Sequence, residues 1–248
     1  MNRGARGFTL LEVALVLVIL SLVISGLALP LAAQVAQRRQ DETRMALEQA
    51  AEALLGFAAS HGRLPCPAVA GRGEESFRAG GDAANGACAD FHGGYLPAAA
   101  LGLWPLDAQG FLRDAWGHRI RYAVAGNTVG GVPNALTRAN GLQAASLPAA
   151  GAASHYLFVC ASGSGANAAG CGPAANQLTR RAAFVLVAPG PNGGASPGPD
   201  EARNIDGDAV FVQRAPATAE GAAAFDDVVR WVAIHALASR LVRAGRLP

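Results

Sequence analysis

Three features of the 248 residues specify an α+β chain: an apolar N-terminal run that passes into a helical repeat, several short β-rich segments, and abundant glycine and proline between them. The arrangement expected is a long N-terminal α-helix packed on a small antiparallel β-sheet, loop-rich, with a C-terminal amphipathic helix. Composition agrees with it. With 31 glycines, 14 prolines and only 6% aromatic residues, the globular part should have a core small for its length. The formal net charge is only +2, and no basic stretch interleaved with aromatics suggests a nucleic-acid groove. All 20 basic side chains counted as Lys or Arg are arginines, which excludes a P-loop phosphate lysine and a Schiff-base lysine.

The first element runs from Phe8 to Leu29, apolar except for Thr9, Glu12, Ser21, Ser25 and Gly26, and Pro30 closes it. Roughly 22 residues at about 1.5 Å each give ~33 Å, against a hydrocarbon core of about 30 Å, so the run is long enough to span a bilayer. Upstream, residues 1–7 carry Arg3 and Arg6, which favours a cytoplasmic N-terminus, while Arg38, Arg39 and Arg44 beyond the run weigh against it. A secretory signal would be cut after the run, where Leu31-Ala32-Ala33 fits the small-residue site imperfectly. Glu12 is the anomaly. A carboxylate in an apolar helix costs up to about 3 kcal/mol at the bilayer centre, less near the headgroups, and calls for a partner or an interfacial position.

Gly7-Phe8-Thr9-Leu10-Leu11-Glu12 resembles the prepilin cleavage and methylation motif of type IV pilins and type II secretion pseudopilins. The resemblance implies a non-enzymatic filament subunit, cut after Gly7 by a prepilin peptidase and methylated on Phe8. It also implies that Glu12 neutralises the Phe8 amine of a neighbouring subunit, setting register in the filament. The partners so implied are other pilin or pseudopilin subunits, the prepilin peptidase, an inner-membrane assembly platform and the membrane itself. The expected course is single-pass insertion in the inner membrane with a periplasmic C-terminal domain, then a periplasmic or cell-surface filament. Rival readings are a minor pilus subunit acting in adhesion or DNA uptake, and a membrane-anchored extracytoplasmic enzyme.

Four segments follow from this: a leader at 1–7, a membrane and filament-core helix at 8–30, a stalk helix at 31–62 and a globular domain at 63–248. Leu47, Ala50, Ala51, Leu54 and Ala58 recur at helical spacing and mark the stalk's buried face, and His61-Gly62 offers a stop. Pro30 either kinks the helix or breaks it in two. No regular element is expected from Leu64 to Pro97. Arg119–Ala125, Tyr156–Cys160, Ala183–Ala188 and Val210–Gln213 read as strands, with Asp206-Gly207 as a hairpin turn before the last. Asp114-Ala115-Trp116-Gly117 looks like the Asp-x-Trp-Gly turn of major pseudopilins. Phe225, Val228, Val229 and Val232 should be buried in a final strand leading to an amphipathic helix.

Cys66, Cys88, Cys160 and Cys171 are an even set in an extracytoplasmic setting, so disulfides are expected. Of the three connectivities, Cys66 with Cys88 and Cys160 with Cys171 is preferred because each closes one local glycine-rich loop. Zinc would compete for these thiols, but no C-x2-C pair exists. The late loop carries Asp200, Glu201, Asn204, Asp206 and Asp208, oxygen donors suited to calcium, and major pseudopilins hold calcium in a comparable loop. No cofactor is otherwise expected. Gly163-Ser164-Gly165 lacks the G-x-S-x-G pattern, and His61, His92, His118, His155 and His235 show no metal spacing, so no catalytic residue is assigned.

Overall fold

The computed structural model describes residues 9–195, 197–217 and 224–247; within the first helix, the side chains of residues 23–32 lie outside that description. Gly7 and Phe8, the expected processing residues, also lie outside the described residues. Helix α1 runs unbroken from Leu10 to His61, so Pro30 falls inside one continuous helix and does not divide it. The helix stops where Gly62 turns left-handed at φ 70° and its N–H reaches back to the Ala58 carbonyl at 2.8 Å, a stop that costs glycine no Cβ clash.

The chain forms two compact units, residues 1–41 and 42–248. In the first unit, the large side chains from Leu10 to Leu22 lie exposed, from 48% at Val13 to 89% at Leu10. No helix among the described residues is long and apolar enough to cross a membrane.

The second unit is built on a five-stranded sheet of β1 (Arg121–Val124), β2 (Leu157–Cys160), β3 (Gln177–Ala188), β4 (Val210–Val212) and β5 (Val228–Ala233). Short helices α2 (Gly141–Ala145), α3 (Leu147–Ala152) and α4 (Pro199–Arg203) lie in the connections, and α5 (Ile234–Arg243) follows β5 directly. β3 is the spine: β1, β2 and β5 all pair with it antiparallel, and its last seven residues, Ala182 to Ala188, are buried. The expected antiparallel sheet needs correction, because β4 pairs parallel with β2, Phe158 opposite Val210 and Cys160 opposite Val212. The reason is the long connection after β3. It includes α4 and brings the chain back to run in the direction of β2, which a tight hairpin could not do. Asp206-Gly207 is therefore a turn between α4 and β4, not a hairpin.

Leu47, Ala50, Ala51, Leu54 and Ala58 join Tyr122, Phe184, Leu186, Val232 and Leu237 in one core, so the predicted stalk face packs on the sheet. Thr43 extends this face by one further turn. It is fully buried, and its Oγ1 accepts the Ala115 N–H at 3.1 Å. The C-terminal segment is fastened to the same helix. Glu48 pairs with Arg230 at 2.6 Å, Glu52 pairs with Arg240, and Arg246 donates to the carbonyls of Ala59 and Ser60 near the helix end. These ion pairs are half exposed, so each contributes about 1 kcal/mol or less. Phe225, ahead of the final strand, and Val229 and Val232 within it are buried as expected, while Val228 is half-buried.

Irregular loops are held by covalent and ionic cross-links. Cys66 is bonded to Cys88 and Cys160 to Cys171, the pairing preferred from loop closure, with 22 and 11 residues of separation. Beside the first bridge, Arg63 and Glu75 form a buried pair at 2.6 Å, and Glu75 also accepts the Cys66 N–H at 3.0 Å. The Arg63 guanidinium lies 5.1 Å from the Phe57 ring centre and 5.8 Å from that of Phe77, which supplies the apolar contact a buried cation needs.

Candidate functional site

The N-terminal helix begins with a cap. The Glu12 N–H is 3.2 Å from Thr9 Oγ1 and 3.1 Å from the Thr9 carbonyl, and Val13 N–H reaches the same carbonyl at 3.2 Å. Thr9-x-x-Glu12 has the spacing of a capping box, yet only the threonine leg of it forms. Among the described residues the Glu12 carboxylate has no partner, and it sits on an exposed stretch whose other large side chains are aliphatic. The arrangement is a single acid at the start of an apolar helix.

A second site lies in the globular unit, where carboxylate oxygens of Glu201, Asp226 and Asp227 come within 4.8 Å of one another. Glu201 opens α4, and the adjacent aspartates enter β5, so the site joins a loop to the sheet. Glu201 is almost fully buried and accepts three hydrogen bonds: the Asp226 N–H at 2.7 Å, and the Gly198 N–H and Asn192 Nδ2 at 2.9 Å each. Asp227 Oδ2 accepts from Asn204 Nδ2 at 2.7 Å, while Asp226 Oδ1 is buried with no hydrogen-bond partner among the described residues.

Burial first, and repulsion from Glu201 second, push Asp226 up to about 6. Burial again dominates at Asp227, where the Asn204 bond lowers the value and repulsion from Glu201 and Asp226 raises it, leaving it at about 7. Three acids within 4.8 Å of one another, one with a buried oxygen that has no hydrogen-bond partner among the described residues, form a hard-oxygen set of the kind that accommodates a divalent cation.

Of the five donors expected in the late loop, this cluster includes Glu201 directly and Asn204 through its bond to Asp227. Asn204 is also structural: its side-chain amide accepts from Val212 N–H at 2.8 Å and donates to Val212 O at 3.1 Å, closing the edge of β4. The other three turn elsewhere. Asp200 pairs with Arg214 at 2.7 Å, and Asp206 and Asp208 pair with Arg203 at 3.3 and 3.8 Å. Asp226 and Asp227 were missed from sequence because they stand 25 and 26 residues from Glu201; their only local signal was an Asp-Asp pair entering a buried strand.

Asp114-Ala115-Trp116-Gly117 forms a turn ahead of β1, closed by the Gly117 N–H to the Asp114 carbonyl at 3.0 Å. Asp114 Oδ1 accepts the N–H groups of Trp116 at 2.9 Å and His118 at 2.8 Å, and Gly117 takes φ 92° before β1 begins.

The described residues thus comprise an exposed apolar helix marked by one acid and an α+β domain. The comparison with protein families identifies the segment: the prokaryotic N-terminal methylation motif matches residues 2–28. The chain thus carries the N-terminal signature of prepilin-type precursors, the type IV pilins and pseudopilins. No curated protein and no solved structure matches it.

Proposed function

We propose that the chain is the precursor of a structural subunit of a type IV pilus-like or type II secretion pseudopilus filament. Residues 8–30 hold it in the inner membrane, prepilin peptidase cuts between Gly7 and Phe8, and the assembly platform then draws the helix into a filament. The methylation motif over residues 2–28 carries this reading. In a bilayer, apolar helices gain nothing by leaving water, so association rests on packing and on specific polar contacts. Glu12 is the polar contact available, and its pairing with the Phe8 amine of a neighbour sets the axial register.

Mass spectrometry of the mature N-terminus tests the reading. N-methylated Phe8 is expected; an intact Met1 or a cut near Ala33 would overturn it. Glu12→Ala should insert and be cleaved normally yet incorporate poorly into filaments, and full incorporation of that variant would remove the role given to Glu12.

We further infer a calcium site at Glu201, Asp226 and Asp227, favoured by the buried, unpartnered Oδ1 of Asp226. A divalent cation there would offset the repulsion among the three acids and tie the α4 loop to β5. Calcium added to chelator-treated protein should raise its melting temperature, with the gain abolished in Asp226→Asn. An equal gain in that variant would place the effect elsewhere.

A further inference from the structure

A pocket of about 300 Å³ opens beside the Asp-x-Trp-Gly turn and takes no part in either site described above. Its walls include Tyr95, Arg113, His118, Arg119 and Arg121, with Gly117 and Gly193 keeping them low, and no carboxylate lines it. Gly193 is held to glycine by close approach: a Cβ there would lie 2.4 Å from His118 Nε2.

The three guanidiniums are not equivalent. Asp107, just behind the wall and 7% exposed, accepts from Arg113 Nη2 at 3.0 Å and from Arg119 Nε at 3.1 Å. Arg113 also donates to the Gly117 carbonyl, and Arg119 to the Ala70 carbonyl and to Gln109, so both are committed to the framework. Arg119 is further clamped with its guanidinium carbon 4.0 Å from the Phe111 ring centre. Arg121 is different. It lies 5.4 Å from the ring centre of Tyr95, and the one hydrogen bond of its side chain among the described residues, to the Gly93 carbonyl, is long at 3.5 Å. Its fork of donors is otherwise open to the pocket, and the Tyr95 hydroxyl makes no hydrogen bond among the described residues.

We propose that this pocket binds a phosphate or sulfate group, with Arg121 and the Tyr95 hydroxyl as its contacts and Arg113 and Arg119 as fixed background charge. Three guanidiniums line the pocket and no carboxylate does, Asp107 and Asp114 standing behind Arg113, Arg119 and His118, so the lining suits an oxyanion. The planar fork of Arg121, steadied by the Tyr95 ring, suits two oxygens of one oxyanion.

The test is titration of the full-length protein in detergent with inorganic phosphate and with sulfate, against chloride at matched ionic strength. Saturable binding is expected, weakened about tenfold or more in Arg121→Gln, as for loss of a hydrogen bond to a charged group, and less in Tyr95→Phe. The Arg121→Gln melting temperature should stay close to that of the parent, since the side chain makes one long bond. Arg121→Lys, which keeps the charge and loses the fork, should fall between, and it carries the test if the glutamine variant does not fold. Absence of saturable binding, or equal affinity in parent and Arg121 variants, overturns the proposal. The same titration with a sugar phosphate, and with phosphatidic acid doped into the micelle, assigns the group to a soluble ester or to a lipid headgroup by whichever one competes with inorganic phosphate.

Discussion

Replacing Asp227 by asparagine should make the protein more stable at pH 8 than its parent, provided divalent cations are chelated. The side chain is 4% exposed, and burial with repulsion from Glu201 and Asp226 lifts it from an ordinary 3.8 to about 7. Such a rise corresponds to about 4 kcal/mol of penalty on the ionised form, an upper bound because the unpaired acids can relax apart. The sign follows from proton counting. Between pH ~4 and ~7 the folded state keeps a proton that the unfolded chain has released, so stability is full below that window, declines through it and levels off above it. Asparagine keeps the oxygen that accepts from Asn204 Nδ2 and removes the charge.

In chelator, urea unfolding at pH 8 should show Asp227→Asn ahead of the parent by ~1 to 3 kcal/mol, or a melting temperature higher by about 2–4 °C per kcal/mol. Near pH 4 the two should agree within roughly 0.5 kcal/mol, the usual margin for a neutral substitution. Saturating calcium should reverse the order at pH 8, because the parent then gains binding energy that the variant lacks. A difference between the two proteins that stays constant from pH 4 to pH 8 in chelator would refute the argument that this acid is held neutral by its surroundings.

Two other perturbations probe the loop-rich half of the domain. Arg63→Ala leaves Glu75 with an uncompensated charge at 15% exposure, and chemical denaturation should register a loss of about 3 to 5 kcal/mol, the range for breaking a buried pair from one side. Cys66→Ala with Cys88→Ala opens a loop of 22 residues and should cost about 3 kcal/mol in the same assay, while the far-UV signal of helix and sheet is retained.

What could be read from sequence was whatever obeys a local period. The stalk face from Leu47 to Ala58 repeats at helical spacing because one side of α1 meets the sheet, and the structure buries those residues. The second half of β3 was legible from its unbroken apolar run at Ala183–Ala188. Its first half, Gln177 to Arg181, was not, because that stretch is polar and mostly exposed and nothing in its own pattern says strand. Direction was equally hidden: the residues of β4 favour a strand, but its parallel pairing is set by where the chain re-enters after α4, and Asp206-Gly207 suggested a hairpin. Site residues followed the same rule. Glu12 stood out because its immediate neighbours are apolar, whereas Asp226 and Asp227 acquire meaning only when the fold brings Glu201 beside them.

The two units also differ in what they leave unfinished. Among its described residues the globular unit buries most of its large apolar side chains, with Trp104 at 82% exposure the most prominent exception. The first turns of α1 instead leave Leu10, Leu11, Leu15, Leu17 and Leu22 each at least 61% exposed. At about 25 cal/mol per Å² of apolar surface, that stretch is costly to leave in water, and in the bilayer of the proposed function the same surface would confer no preference for one neighbour over another. On the function proposed above, selectivity would come from Glu12, the charged group of that stretch, so its loss is expected to appear as an assembly defect and not as a folding defect.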